Sequence, residues 1–117
     1  MLPPDRRVRR REEFTLVLRA GRTGRCGPLI MHVGSSATTG PARAGFVVGR
    51  AVGRAVDRNR LRRRLRHLVR DRLDRFDPGS LVVVRATPGA AAQSAPELGR
   101  ELDTLIRRLV PAGAGVG

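Results

Sequence analysis

The sequence predicts an α+β fold, a single small domain with one central sheet and helices packed on it, in the order α-β-β-α-β-α. Three observations carry that reading. Apolar residues recur at helical spacing in three separate stretches. Between them lie short apolar runs rich in β-branched residues. Clusters of Gly and Pro divide one segment from the next. The chain has 117 residues, the length of one domain. The expected organisation is therefore one domain over 1–117, with a basic arm at 1–10 and a flexible tail at 111–117.

Each element has its own justification. Residues 1–10 are polar and basic and contain Pro3-Pro4, which suits an extended arm. From Arg11 the spacing turns helical: Phe14, Val17 and Leu18 share a face, Glu12 and Glu13 favour a first turn, and Gly21 is a stop. This predicts a helix over 11–19. A loop of Arg, Gly and Thr follows, and then Pro28–Val33 reads as a strand. Gly34–Pro41 is a turn of small residues, and Ala44–Arg50 reads as a second strand, expected to pair antiparallel with the first.

The clearest helix is predicted over 55–75. Leu61, Leu65, Leu68, Val69 and Phe76 form its apolar stripe, and Asn59, Arg63, Arg66 and Arg70 form the opposite one, flanked by Arg62. Asp77-Pro78-Gly79 ends it. Leu81–Val84 reads as a strand buried on both faces. After a loop over Pro88–Pro96, a last helix is predicted at 97–110, with Leu98, Leu102, Leu105, Ile106 and Leu109 on one side.

Charge points to the partner. The chain carries 24 basic residues, all Arg, against 10 acidic ones, for a net charge of +14. Codon bias toward Arg accounts for the identity of the cations but not for the shortage of anions. Residues 1–75 hold 20 Arg and 6 acids and residues 76–117 hold 4 Arg and 4 acids, so the whole excess lies in the first part. Solubility does not require that segregation, whereas a polyanion-binding face does. The densest stretch, Arg50–Arg75, holds 11 Arg and 3 acids. A rigid amphipathic helix would hold guanidinium groups in rows suited to phosphate and base stacking. The competing reading is an ordinary solvated face, but that would carry compensating Glu at i±4, which is missing before Asp71. A second basic patch, Arg6–Arg25, holds 8 Arg. With Phe14, Phe46 and Phe76 as the only aromatics, base stacking is limited. Phe76 reads as core, and strand alternation leaves Phe46 open.

Other classes are disfavoured. Cys26 is the single cysteine, which excludes an internal disulfide and fits a reducing cytoplasm, the expected location. No apolar run reaches transmembrane length, and residues 1–11 lack the apolar core of a signal peptide. His32, His67 and Cys26 are far apart and lack zinc-like spacing. Asp71 and Asp74 are expected to form surface ion pairs with Arg70, Arg72 and Arg75 rather than a catalytic dyad. No glycine loop of Walker type is present. The residues therefore predict a binding protein with no catalytic site of its own.

The stretch Ala44–Arg66, Ala-Gly-Phe-Val-Val-Gly-Arg-Ala-Val-Gly-Arg-Ala-Val-Asp-Arg-Asn-Arg-Leu-Arg-Arg-Arg-Leu-Arg, resembles the signature of the bacterial ribonuclease P protein family. The positions that carry the match are Gly45, Arg50, Gly53, Ala55, Val56, Arg58, Asn59, Arg60, Arg62, Arg63 and Arg66. Arg7–Phe14 with Val17 and Gly21 resembles the family's first helix, and Leu81–Val84 its apolar strand. The resemblance spans about residues 6–110. It implies a sheet with a left-handed parallel crossover through the basic helix, the fold known from domain 2 of a ribosomal protein. It also implies a protein subunit that binds the catalytic RNA subunit and the 5′ leader of precursor tRNA, with no obligate protein partner and no membrane. Mg²⁺ would serve the RNA subunit, which hydrolyses the leader phosphodiester; metal positions stay open.

Carried over by position, Arg50, Arg54, Arg58, Asn59, Arg60, Arg62, Arg63, Arg66 and Arg70 would bind the RNA subunit. Phe14, Leu18, His32, Phe46 and Val48 would line the leader cleft, and Arg7, Arg9, Arg10 and Arg11 would form the basic arm. Leu18 and His32 stand where relatives often have larger aromatics, and Arg85 comes earlier than the usual pattern. The alternative is a ribosomal or RNA-assembly protein without a tRNA-processing role; a DNA-compacting basic protein is a third class.

Overall fold

The computed structural model describes residues 15, 17, 21–35 and 40–110. Four strands form one sheet: β1 (Arg22–Cys26), β2 (Leu29–Ser35), β3 (Arg43–Val48) and β4 (Ser80–Ala86), in the order β1-β2-β4-β3. Two helices complete the described fold, α1 (Ala55–Arg70) and α2 (Ala95–Leu109). The helix expected over 11–19 lies largely outside the described residues, although Thr15 and Val17 are helical.

The sheet differs from the expectation in two ways. Arg22–Cys26, read as a loop, is an edge strand antiparallel to β2. The strands read as an antiparallel pair, β2 and β3, are not neighbours. β4 lies between them, antiparallel to β2 and parallel to β3. The physical reason is burial. Leu81–Val84 is apolar at every position and has both faces covered, so it takes a central place and displaces the more polar strands to either side. The β3–α1–β4 segment is thus a parallel crossover.

The main core lies between the sheet and both helices. Leu29, Met31, Val33, Ala44, Val48, Val82 and Val84 meet Leu61, Leu65 and Val69 of α1 and Leu98, Leu102, Leu105 and Ile106 of α2. On the opposite face Val17, Leu81 and Val83 form a smaller cluster. Gly21 allows the chain to turn there. Its N–H donates to Val17 O at 3.0 Å, and a Cβ on it would lie 2.6 Å from Val17 O and 2.7 Å from Val33 O.

The helix ends also differ from the sequence reading. α1 stops at Arg70, not 75; a 3-10 turn over Leu73–Arg75 then continues the buried stripe to Phe76. α2 begins at Ala95, not 97. Ser94 Oγ accepts from Glu97 N–H at 3.2 Å while Glu97 Oε1 accepts from Ser94 N–H at 3.0 Å, a reciprocal cap.

Candidate nucleic-acid interface

The arginine-rich helix is aimed by the turn before it. Gly53 has φ 155° and ψ −163°, a conformation that glycine adopts readily. A Cβ there would lie 3.3 Å from Asp57. Asp57 in turn accepts from Arg54 N–H at 3.3 Å and sits in the first turn, where an anion is favoured. From that start α1 buries Leu61, Leu65 and Val69 against the sheet, which turns its polar stripe to solvent.

That stripe forms a groove of about 350 Å³ lined by Asn59, Arg62, Arg63, Arg66 and His67. Arg62 Nη1 donates to Asn59 Oδ1 at 3.0 Å, which orders the guanidinium beside the amide. Four of these five residues were expected from sequence to meet RNA. His67 was not: it reads on the wheel as a polar residue next to Arg66, and nothing in the spacing marks it.

The arginines of this stretch divide by partner. Arg72 binds Asp103 of α2 through Nε at 2.8 Å and Nη2 at 3.4 Å, and its Nη1 donates to Leu68 O at 2.8 Å. Arg75 Nη1 reaches the same carboxylate at 2.7 Å. These guanidinium groups hold the Asp103 carboxyl below the usual range, led by the Arg72 hydrogen bond. Arg64 Nη1 donates to Gln93 O at 2.9 Å, tying α1 to the loop before α2. Asp103 is thus the carboxylate shared by Arg72 and Arg75, in place of the local acids expected; Asp71 pairs with Arg70 at 3.7 Å. Arg50, Arg54, Arg60, Arg63 and Arg70 are exposed, and Arg58, Arg62 and Arg66 are half-buried. Arg54 also pairs with Asp57 at 3.5 Å.

The residues expected to line a leader cleft do not all share a face. His32 lies in register with Thr23 on one side and Val83 on the other, and Val83 pairs onward with Gly45. This row lies on the face opposite α1 and α2. Phe46 and Val48 pack instead against the main core beneath the helices. Strand alternation forces the split: Phe46 is one residue away from Gly45, the β3 position that shares the His32 face. Phe14 and Leu18, with Arg7, Arg9, Arg10 and Arg11, lie outside the described residues.

His32 is 5% exposed. Its Nδ1 lies 3.0 Å from Thr23 Oγ1, while Nε2 is buried with no hydrogen-bond partner among the described residues. Burial, and then the nearby Arg85 charge, lower its pKa from the ordinary value of 6.5. Along the neighbouring row, Arg25, Ile30, Arg85 and Val47 are in register, so a mixed basic and apolar strip borders it. Among the described residues no group of three or more His, Cys, Asp or Glu is placed to hold a metal ion. No helix among them is long and apolar enough to cross a membrane.

Comparison with known proteins agrees with this geometry. The sequence model of the family described as Ribonuclease P matches residues 2–110. The chain is 51% identical over 122 residues to the ribonuclease P protein component of Streptomyces griseus, covering 97% of this chain and 99% of that one. It is 44% identical to that of Salinispora tropica, covering 91% of each. Its fold is similar to the Staphylococcus aureus RNase P protein, with a TM-score of 0.78 at 16% identity, covering 88% of this chain and 94% of that one. It is also similar to the Thermotoga maritima protein, with a TM-score of 0.76 at 23% identity, covering 90% and 98%. On a sequence match that runs nearly end to end, the chain belongs to the ribonuclease P protein component family.

Proposed function

We propose that this chain acts in ribonuclease P as the protein that binds the RNA subunit and precursor tRNA, and that the RNA subunit performs the cleavage. The observation that carries the reading is the α1 groove, where Asn59, Arg62, Arg63 and Arg66 are held at helical pitch on a rigid support. Guanidinium rows of that kind suit the phosphates of a folded RNA. In this reading Arg50, Arg54, Arg58, Arg60 and Arg70 add further contacts, although Arg60 lines a second hollow with Arg64 and Arg58 is half-buried. The strip of Ile30 and Arg85 beside the buried His32, on the sheet face opposite the helices, is a separate surface, and it suits the 5′ leader of precursor tRNA.

The chemistry assigned to the RNA follows from the donor set. Hydrolysis of a phosphodiester by protein groups needs an activated nucleophile or a metal cluster. Among the described residues, His32 is buried with its pKa lowered, Cys26 sits on an edge strand, Asp57, Asp71 and Asp103 are drawn into arginine pairs, and Glu97 and Glu101 bond to Ser94 and Gln93. The Mg²⁺ that supports cleavage belongs, in this reading, to the RNA, and the protein raises affinity for the substrate. A ribosomal or assembly role remains the second class, but no observation here favours it.

Reconstitution tests the proposal. The protein, a transcribed ribonuclease P RNA and a precursor tRNA are combined at low Mg²⁺. Release of the 5′ leader is expected only when RNA and protein are both present. Cleavage by protein rigorously freed of RNA, or no stimulation of the RNA by the protein, would overturn it.

A further inference from the structure

His67 is the member of the α1 groove that no reading so far has used. It is exposed, lines the same groove as Asn59, Arg62, Arg63 and Arg66, and lies in the last turn of α1. Cations are favoured at that end of a helix. The charged groups at helical contact spacing are Arg63, Arg64, Arg70 and Asp71, with Arg64 held to Gln93 O at 2.9 Å and Arg66 the adjacent residue in sequence. Asp71 N–H donates to His67 O at 3.4 Å, and its carboxylate is paired with Arg70 at 3.7 Å. Among the described residues no other element contributes to the groove wall. The acid that α2 presents to this helix, Asp103, is already engaged by Arg72 and Arg75.

Resting on the reading of this groove as the RNA-subunit face, we infer that His67 makes binding of the RNA subunit proton-linked: its imidazole takes up a proton as an RNA phosphate enters. The argument is one of charge. Three guanidinium groups, Arg62, Arg63 and Arg66, line the groove and would hold a phosphate beside the imidazole. A phosphate there brings a negative charge and an acceptor for the imidazolium N–H, both of which favour the protonated ring in the complex. Histidine is the side chain whose charge can change in this way near neutral pH. The proton comes from the solvent, the phosphodiester stays ionised throughout, and the complex holds one proton more than its separated parts. Arginine at position 67 would bind without such linkage. The groove thus combines fixed cations, which set affinity, with one conditional cation, which makes affinity depend on pH.

The test measures the affinity of the full chain for a transcribed ribonuclease P RNA between about pH 6 and about pH 8 at constant salt, the window in which histidine titrates. Wild type, His67→Gln, His67→Arg and Arg63→Ala are compared. A phosphate that favours the imidazolium by one logarithmic unit makes wild-type binding about fivefold weaker at the upper pH than at the lower, about tenfold being the limit across the full titration. His67→Gln is expected to be weak and flat across the range, and His67→Arg tight and flat. Calorimetry in buffers of different ionisation enthalpy should detect proton uptake in wild type and none in either His67 variant. Wild-type binding that ignores pH, or an unchanged slope in His67→Gln, would overturn the inference. The reading of the groove fails differently: Arg63→Ala would then bind as well as wild type at every pH. Loss of affinity in Arg63→Ala beside a flat wild-type profile sinks the His67 inference alone.

Discussion

Leu65→Ala and the double change Arg63→Ala with Arg66→Ala probe opposite sides of one helix and should separate folding from binding. Leu65 is fully buried beneath α1, within the cluster shared with the sheet and α2. Truncation removes about three carbon groups, worth about 0.8 kcal/mol each in transfer. The vacated volume adds a cavity term, so the total is about 2–5 kcal/mol. At about 4 °C per kcal/mol for a domain of this size, the melting temperature should fall by about 8–20 °C. Total stability for such a domain is about 5–15 kcal/mol, so the variant should still fold in the cold and bind RNA there with little loss. Arg63 is exposed and Arg66 half-buried, both opposite the leucine stripe. Their removal should change stability by less than about 1 kcal/mol while weakening binding by about a hundredfold, at about 1.5 kcal/mol for each of the two charge-assisted contacts. Thermal melting by circular dichroism and filter binding to the RNA subunit measure both quantities. A double arginine variant with wild-type affinity would refute the interface. A Leu65→Ala variant that melts with wild type would refute the packing.

Other perturbations test other parts of the structure. Neutralising about five phosphates gives a slope of about −4 for log K against log salt, and a salt-insensitive affinity would contradict a phosphate-dominated contact. Gly21→Ala should destabilise the fold measurably in a denaturant titration, because its Cβ would meet two carbonyl oxygens at 2.6 and 2.7 Å; equal midpoints would show that the turn yields freely. His32 has its pKa lowered on folding, so the unfolded chain protonates first. Its contribution is present above about pH 6.5 and is lost as pH falls from there through the lower folded value. His32→Gln should flatten that part of a stability profile, and an unchanged profile would count against the buried neutral ring. Asp103 acts in a more acidic window, since Arg72 and Arg75 lower its pKa. Its contribution is present above the ordinary carboxylate range and fades as pH falls through the folded value, so Asp103→Asn should remove that acid loss.

Much of this was legible because it depends on local spacing. The leucine stripe of α1, the apolar run of β4 and the capped α2 are each written in consecutive residues. So was the solvent-facing row, because burying Leu61, Leu65 and Val69 leaves Asn59, Arg63 and Arg66 nowhere to point but outward. What the sequence hid was non-local. Arg22–Cys26 becomes a strand only through pairing with β2; with two arginines and a glycine in five residues it carries no alternation of its own, as befits an edge. The place of β4 between β2 and β3 follows from which strand must be buried on both faces, a comparison across the whole chain. Asp103 lies 31 residues from Arg72 and 28 from Arg75, so local reading offered Asp71 and Asp74 instead. Phe46 faced two equal choices, and only the register with Val84 decided for the helix side.

The central position of β4 has a consequence for synthesis. Among the described strands β3 neighbours only β4, and their register joins Arg43 to Leu81 and Val48 to Ala86. A growing chain therefore produces the arginine helix before the strand that completes its platform exists. Until Ala86 has emerged, the leucine stripe of α1 lacks the finished sheet that will cover it, while its cations are already displayed. The nascent segment is thus a basic amphiphile emerging from a ribosome that is itself largely RNA. Late closure of a non-local pairing is slow relative to helix formation, which sets an interval of exposure for every copy made. A stall placed just before β4 lengthens that interval, and full cover waits for α2, whose leucines share the same core.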